Sequence, residues 1–345
     1  MTCTSISLQY KSYTRSHQGL YNMVNNPDSK IPVGISACLT GQAVRFNGGH
    51  KRSRFCTDIL SQYFELKSVC PEVAIGMGTP REPIRLVSET PDSEAIRAVG
   101  VEHPENDFTD QLKGYAADVT VSHTGLCGFI FMQKSPSCGL FGVKRYLPNG
   151  HPEGKAEGIF ASEYARLNPL LPMEEAGRLN DAALRENFMV RVFTYHEWQL
   201  FRQEPVTAAR LIDFHSRYKY LVMAHSLVHY KETGRLLSDL SGDIEQIADQ
   251  YFGLLMKALA KPASRKMHTN TLMHLQGYLK NLIQPADKAE LERIIHEYRK
   301  GIIPLIVPLT LLKHHLNHHE EANAYARQQV YLNPHPYELG LRNQL

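Results

Sequence analysis

The sequence predicts an α/β Rossmann-like N-terminal domain followed by an all-α C-terminal domain. Between about residues 31 and 172, short apolar runs alternate with amphipathic stretches, as strands and helices do in βα units. Beyond that point strand signals disappear, and long stretches with helical periodicity follow, separated by Gly and Pro. The length of 345 residues is sufficient for two domains that each have a core.

In the first domain, 31–172, three strands and two helices are predicted. The strands lie over 31–37, 64–69 and 127–132, and the helices over 53–64 and 109–117. The first and third strands contain continuous apolar runs, which are typical of buried strands. The helix at 53–64 is predicted because Phe55, Ile59, Leu60 and Phe64 recur on one side.

The second half is predicted to be helical throughout. Its helices lie over 208–233, 243–260, 265–282, 286–300 and 304–317, with Thr207 as the N-cap of the first. The periodicity of 173–206 predicts a helical connector, so the helical domain spans 207–320. We expect 321–345 to form a loose tail and 1–30 to form a flexible leader.

Composition indicates an ordinary soluble protein with reduced thiols. Apolar residues make up 43% of the chain and charged residues 21%, and no apolar run is long enough to span a membrane. The first 30 residues lack the apolar core of a secretory signal, so we expect a cytoplasmic protein. The net charge of +3 is too small to establish a polyanionic partner by itself.

Three cysteines lie in turns of small residues, two of them after apolar runs and the third after a shorter stretch that ends at Val69. They are Cys38 in Ser-Ala-Cys-Leu-Thr-Gly, Cys70 in Cys-Pro-Glu and Cys138 in Ser-Pro-Ser-Cys-Gly. Thiols at the ends of strands are placed where open α/β sheets gather ligands. Three thiolates without a fourth are what an iron–sulfur cluster with one open iron requires.

Spacing alone leaves other interpretations of these cysteines open. Isolated cysteines are commonly core residues, and we interpret Cys3, Cys56 and Cys127 as structural. The paired spacing of zinc ribbons and fingers is absent, although plain zinc in the three-cysteine site remains an alternative. The Gly, Pro, Ser and Glu residues beside the other three cysteines favour ligation, because such turns can point amides at sulfur.

These motifs resemble those of the thiouracil desulfidases of the TudS type. The resemblance covers about 31–170 and includes Arg45-Phe46-Asn47-Gly48 and the segment from Cys70 to Arg81. It implies that Cys38, Cys70 and Cys138 hold a 4Fe–4S cluster and leave one iron free. Many members of the family have a second cysteine where Val44 stands here, so Val44 suggests that three protein ligands suffice.

The second half resembles the YbgA-type helical domain. Matching segments are DFHSRYKYL at 213–221, RKMHTN at 265–270 and YRKGIIPLIVPL at 298–309. A TudS-like domain followed by this domain is similar to proteins proposed to remove sulfur from thiouridine in tRNA. The resemblance therefore implies that 4-thiouridine in tRNA is converted to uridine with release of sulfide.

Glu72 and Ser135 are the predicted catalytic residues besides the cysteines. A free iron would act as a Lewis acid on a thiocarbonyl sulfur, and a base must then deprotonate the incoming water. Glu72 lies two residues after Cys70 and is the predicted base, while Ser135 is predicted to hold the pyrimidine or to relay a proton. The alternative is that both residues only form turns.

Basic residues in both halves are predicted to contact RNA phosphates. They are Arg45, Lys51, Arg52, Arg217, Lys219, Arg265, Lys266, His268, Arg299 and Lys300. The alternative is that they form solvated helix faces. The histidines at 314–319 are interpreted as an exposed helix end without a metal.

Two other functions remain open at this stage. The first is desulfidation of free thiouracil, with a helical half that only stabilises or dimerises the protein. The second is a non-enzymatic nucleic-acid-binding protein with a structural or sensing cluster. The sequence leaves open whether the chain is a monomer or a homodimer.

Overall fold

The computed structural model describes residues 30–319 and 324–345. Its contacts divide the described residues into two compact units, 30–180 and 181–345. The prediction of a flexible leader falls outside the described residues, apart from residue 30, and Cys3 lies outside them too. The predicted class, an α/β domain followed by an all-α domain, is confirmed.

The first unit is organised by a four-stranded parallel sheet. Its strands are β1 (Ile31–Ser36), β2 (Phe64–Val69), β5 (Phe129–Phe131) and β8 (Met173–Glu175), in the spatial order β2-β1-β5-β8. The chain passes from β1 to β2 on one side and later to β5 on the other, which creates a topological switch point beside β1. The carboxyl ends of the strands meet at one edge, where open α/β sheets bind ligands.

The first unit also contains a mixed sheet and three helices. The strands are β3 (Ile84–Ser88), β4 (Ile96–Gly100), β6 (Val143–Tyr146) and β7 (Pro152–Ala156), in the spatial order β4-β3-β6-β7. The helices are α1 (Pro71–Ala74), α2 (Thr109–Ser122) and α3 (Ile159–Leu167). The sequence did not predict this sheet. Strand β7, Pro-Glu-Gly-Lys-Ala, has no apolar alternation that would have indicated a strand.

The second unit is built from helices. They are α4 (Ala182–Phe201), α5 (Ala208–His225), α6 (Leu227–Leu236), α7 (Ile244–Leu259), α8 (Arg265–Gln276), α9 (Pro285–Lys300), α10 (Ile306–His318) and α11 (Ala324–Arg327). Four short 3-10 turns add to them at Gly277–Leu279, Val330–Leu332, Tyr337–Leu339 and Leu341–Gln344. None of the helices in the described part of the chain is both long and apolar enough to cross a membrane.

Capping explains where the helices of the second unit begin. The Thr207 hydroxyl accepts a hydrogen bond from the backbone N–H of Arg210 at 3.3 Å, so the predicted N-cap is confirmed. The predicted helix 208–233 is two helices, α5 and α6. Ser226 separates them in an extended conformation (φ −155°), and its hydroxyl caps α6 by accepting from the N–H of His229.

Two of the predicted helical segments, 53–64 and the connector 173–206, are wrong in part. Residues 53–64 form a π turn, Phe55–Ile59, and a 3-10 turn, Leu60–Gln62, rather than one α-helix. Residues 173–180 belong to the first unit, because β8 pairs with β5 and the short turn Arg178–Asn180 follows it. The predicted helical connector begins only at α4, where the Asp181 carboxylate caps the N–H groups of Ala183 and Leu184.

The C-terminal segment is anchored in the second unit, so the prediction of a loose tail is wrong. Arg342 and Glu186 are both 5% exposed and form an ion pair at 3.0 Å between Nε and Oε1. The Arg342 guanidinium also donates to the carbonyl of Tyr331 at 2.6 Å. A buried charge without its partner is strongly unfavourable, so this pair holds the chain end against α4.

His268 lies in the same buried region, and its predicted contact with RNA is wrong. Its side chain is 3% exposed, and its Nδ1 lies 3.0 Å from the hydroxyl of Tyr331. Burial lowers the pKa of His268 to about 3, so the ring is neutral near pH 7. A neutral, buried imidazole is unavailable to a phosphate.

We predict that the second unit loses stability as the pH falls below about 6.5. Burial lowers the pKa of His268 to about 3 and those of His196 and His215 to about 4. The unfolded chain binds these protons first, near pH 6.5, so the stability from neutral histidines is present above that pH and is lost towards pH 4. Each histidine contributes a slope of about 1.4 kcal/mol per pH unit.

Chemical denaturation followed by helical circular dichroism at pH 7 and pH 5 measures this loss. His268→Gln should reduce the pH dependence of the free energy of unfolding. His274→Gln, at an exposed position, is the matched control. An equal pH dependence in wild type and His268→Gln would contradict the account.

Candidate metal centre

Cys38, Cys70 and Cys138 line one cavity of about 380 Å³ at the carboxyl edge of the parallel sheet. Cys38 follows β1, Cys70 follows β2 and Cys138 lies in the loop after β5. These are the three adjacent strands around the switch point, so residues far apart in the sequence converge there. Cys56 and Cys127 are fully buried elsewhere in the unit and do not line this cavity.

Cys38 and Cys70 are held by short helical turns directly after their strands. Cys38 lies in the 3-10 turn Ala37–Thr40, and its carbonyl accepts from the N–H of Lys51 at 2.9 Å. Cys70 is the N-cap residue of α1, which begins with Pro71. The Cys70 thiol points at the carbonyl of Val44 at 3.9 Å, and Val44 also lines the cavity.

The Cys138 loop is clamped against the start of α3. The N–H groups of Ile159 and Ala161 donate to the carbonyls of Pro136 and Ser137, at 3.0 and 3.1 Å. A Cβ at Gly158 would lie 2.7 Å from the Ser137 carbonyl carbon, so only glycine permits this approach. The loop therefore presents its thiol from a fixed backbone.

Side chains from β1 and β8 complete the support of this loop. The Ser36 hydroxyl accepts from the N–H of Met132 at 3.0 Å and also interacts with the Cys138 sulfur. Glu175, at the end of β8, is 5% exposed, and its Oε1 accepts from the N–H groups of Leu140 and Phe141 at 2.9 and 3.0 Å. Two amides of the segment that follows Cys138 thus depend on one carboxylate.

The three thiols are neutral in the absence of a bound cation. Burial, together with the proximity of Cys70, raises the pKa of Cys38 to about 11. Burial also raises the pKa of Cys70, although hydrogen bonds from the backbone N–H groups of Val73 and Glu72 lower it in part. Burial raises the pKa of Cys138 well above its usual value. Such thiols are poor nucleophiles, but binding a metal converts them to thiolates.

Zinc and an iron–sulfur cluster require different spacings of three thiolates. A tetrahedral zinc ion with Zn–S bonds of about 2.3 Å would bring its thiolates to about 3.8 Å from one another. Among the described residues, the group with three metal-ligand atoms all within 4.8 Å is Glu82, Glu102 and His103, not the cysteines. In an iron–sulfur cluster, each thiolate binds a different iron instead of one shared ion.

Glu72, Ser137 and Ser135 form a hydrogen-bonded chain along the cavity wall. The Ser137 hydroxyl donates to Glu72 Oε1 at 2.5 Å, and the hydroxyls of Ser137 and Ser135 lie 3.0 Å apart. Arg81 donates to Glu72 Oε2 from Nε at 2.8 Å and from its terminal nitrogen, and the two side chains are 5% and 14% exposed. Both predicted catalytic residues therefore line the cavity and are connected through Ser137.

Two further cations lie at the cavity besides Arg81. Arg45 and Lys134 line it, and no hydrogen bond or ion pair occupies the Lys134 ammonium within the described part of the chain. Among the described residues, Lys134 is also the one non-glycine residue whose backbone is left-handed, with a φ of +60°. Such strain is sustained only where surrounding contacts impose it, which is common beside functional sites.

The other predicted RNA-binding residues are exposed or half-buried, apart from His268. Lys51 and Arg52 are exposed near the cavity, and Arg52 pairs with Asp58. In the second unit Lys266 and Arg299 line one groove of about 330 Å³ together with Asn270.

Several of these basic side chains already have partners. Arg217 lies 3.6 Å from Asp213, Lys219 lies over the ring of Tyr230, and Arg265 lies over that of Tyr298. Lys300 is exposed.

Sequence analysis missed Ser36, Ser137 and Glu175 as residues of this site. Ser137 stood inside the Ser-Pro-Ser-Cys motif, but the sequence did not show which serine faces the carboxylate. Glu175 is the last residue of strand β8, in a segment that was predicted to be helical. A correct strand there would have placed a carboxylate at the functional edge of the sheet.

Comparisons with known proteins match both units. Residues 33–176 match the family described as 2-thiouracil desulfurase, and residues 219–336 match a family described as a protein of unknown function, DUF1722. The protein YbgA of Escherichia coli is 31% identical over 160 residues, which are 46% of this chain and 94% of YbgA. The protein YbbK of Bacillus subtilis is 30% identical over 131 residues, which are 35% of this chain and 79% of YbbK.

The chain also has a similar protein among solved structures. It is a [4Fe-4S]-dependent thiouracil desulfidase, TudS, with 28% sequence identity and a TM-score of 0.35. The match covers 44% of this chain and 94% of that one.

We predict that Glu175→Ala lowers both the stability and the iron content of the first unit. The substitution leaves two buried amides without an acceptor, at a cost of about 1–3 kcal/mol each. Glu175→Gln keeps an oxygen at the same position and should restore most of the iron. The measurements are the melting temperature and the iron-to-protein ratio after anaerobic purification, with Glu105→Ala, at an exposed carboxylate, as control. Wild-type iron content in Glu175→Ala would contradict the positioning role.

Proposed function

We propose the following function from the premise that this chain belongs to the 2-thiouracil desulfurase and DUF1722 families and is related to YbgA and YbbK. The first unit holds a 4Fe–4S cluster through Cys38, Cys70 and Cys138 and removes sulfur from a thiolated pyrimidine. The convergence of three thiols and a carboxylate in one cavity is the observation that supports this proposal.

The reaction exchanges sulfur for oxygen at a constant oxidation level. The thiocarbonyl and one water give a carbonyl and hydrogen sulfide, so no electron donor is required. A cluster bound by three thiolates would supply an iron with an open position, a Lewis acid for the soft sulfur of the substrate. The residues of the chain must bind the pyrimidine, exclude bulk water and move a proton.

Glu72 is the base in this proposal, with Ser137 and Ser135 as its link to the cavity. All three residues line the cavity beside the proposed ligands, and the two hydroxyls form a continuous path to Glu72 Oε1. A proton from water can reach the carboxylate directly or along this path. Arg81 fixes the orientation of the carboxylate through its two hydrogen bonds.

We propose that the substrate is 4-thiouridine in tRNA. A base must leave its stack to enter a cavity lined by metal ligands, and phosphate contacts supply most of the affinity for RNA. Arg45 and Lys51 near the cavity support such contacts, as do Lys266 and Arg299 in the groove of the second unit. The products of this reaction are uridine in the tRNA and sulfide.

Anaerobic purification tests the cluster and its ligands. We expect brown protein that contains iron and inorganic sulfide and that releases sulfide from thiolated tRNA. Alanine at any one of the three proposed ligands, Cys38, Cys70 or Cys138, should abolish both colour and activity. Cys56→Ala, in the core of the same unit, is the control and should keep its iron. Full iron and activity in Cys70→Ala would refute the ligand assignment.

The choice of tRNA as substrate has a separate test. The double variant Lys266→Ala/Arg299→Ala should bind tRNA more weakly. The slope of its binding constant against salt concentration should fall by the amount expected for about two lost phosphate contacts. Its turnover of free 4-thiouracil should be unchanged. Lys280→Ala/Lys288→Ala makes the same charge change at exposed positions outside the groove. Equal tRNA affinity in both double variants, or activity on free thiouracil alone, would contradict the tRNA proposal.

A further inference from the structure

Phe46 places an exposed aromatic ring on the wall of the metal-ligand cavity. The side chain is 40% exposed, although a large apolar ring is normally covered by protein. It lines the cavity together with Arg45, whose guanidinium lies over the ring at 5.5 Å. The ring therefore offers a flat apolar surface beside thiols, a carboxylate and cations.

The loop that presents Phe46 is fixed by its own backbone. The N–H of Gly48 donates to the carbonyl of Arg45 at 2.8 Å, and the N–H of Arg45 donates to the carbonyl of Gly49 at 3.1 Å. Gly48 has a φ of +74°, which suits glycine in such a closed turn. The backbone from which the ring projects is therefore held by a short, internally hydrogen-bonded loop.

One residue connects this ring to the proposed base. The backbone N–H of Arg81 donates to the carbonyl of Phe46 at 2.9 Å, and the side chain of the same Arg81 holds Glu72. The aromatic surface and the carboxylate thus share an anchor. Their relative position is set by the fold rather than by a bound molecule.

A pyrimidine has the shape and chemistry that this wall can bind. Its two faces are flat and apolar, and its polar atoms lie along the edge of the ring. Aromatic side chains commonly stack on unpaired bases, and this contact contributes about 1–3 kcal/mol per base. Polar groups that could meet this edge, including Cys38, Glu72 and Lys134, line the same cavity.

We propose that Phe46 stacks on the pyrimidine ring of the substrate and orients its thiocarbonyl edge towards the three cysteines. This inference rests on the proposed function, because it assigns the binding surface for that substrate. Stacking acts on the face of the ring, so Phe46 supplies affinity and orientation. Discrimination between sulfur and oxygen is left to the groups at the ring edge.

Binding of the product uracil to anaerobically purified protein tests the stacking without relying on turnover. Equilibrium dialysis gives its dissociation constant, and sulfide release from 4-thiouracil gives KM and kcat. Phe46→Ala should raise the dissociation constant and KM about tenfold to a hundredfold, with kcat changed only a few-fold and iron content unchanged. Phe46→Tyr keeps an aromatic face and should bind as the wild type does.

Phe141→Ala is the matched control. Phe141 is 44% exposed in the same unit and also lies beneath a guanidinium, that of Arg178, but it does not line the cavity. Unchanged uracil binding in Phe46→Ala would overturn the proposal. If Phe46→Ala loses iron, the comparison of Phe46→Leu with Phe46→Tyr tests the proposal instead, because only tyrosine keeps an aromatic face. Equal uracil binding by these two variants would also overturn the proposal. A wild type that binds uracil but releases no sulfide would refute the proposed function and leave the stacking surface supported.

Discussion

The parallel pairing of β1, β2 and β5 is the constraint on which the functional site depends. Parallel strands end at the same edge of a sheet, and the residue that follows each strand is therefore brought to its neighbours. Each of the three strands is followed by a turn or loop that contains one cysteine. Register and strand order thus replace the short sequence spacing by which zinc fingers gather their ligands.

A second constraint is that each thiol is held by backbone that has little freedom. Cys70 begins a helix, Cys38 lies in a 3-10 turn, and the Cys138 loop is clamped by α3 and by Glu175. Rigid supports matter because burial favours the neutral thiol, and only a cation at the site makes three adjacent thiolates favourable. The nearby carboxylate has its own counter-ion, Arg81, so its charge is compensated independently of the cysteines.

The sequence contained enough to predict that three cysteines of the first half lie together and that the second half is helical, but not the details. Cysteines after apolar runs were informative because strand ends converge in an α/β fold, and Thr207 was recognised because capping is a local interaction. Ser226 interrupts a helix whose apolar periodicity continues on both sides, so pattern alone joined the two helices.

The burial of His268 and the anchoring of Arg342 depend on residues far away in the chain, among them Glu186. No local signal indicates such partners. The same holds for Glu175, because a three-residue strand such as β8 is too short to show periodicity. Long-range electrostatics and short strands are therefore the parts that only the folded structure revealed.

The most direct test of the central claim is the position of iron in anaerobically grown crystals, located by anomalous scattering at the iron edge. The account predicts one compact iron cluster in the cavity, with Cys38, Cys70 and Cys138 each bound to a different iron and one iron free of protein ligands. A single metal ion shared by the three sulfurs, a fourth protein ligand, or iron outside this cavity would contradict it.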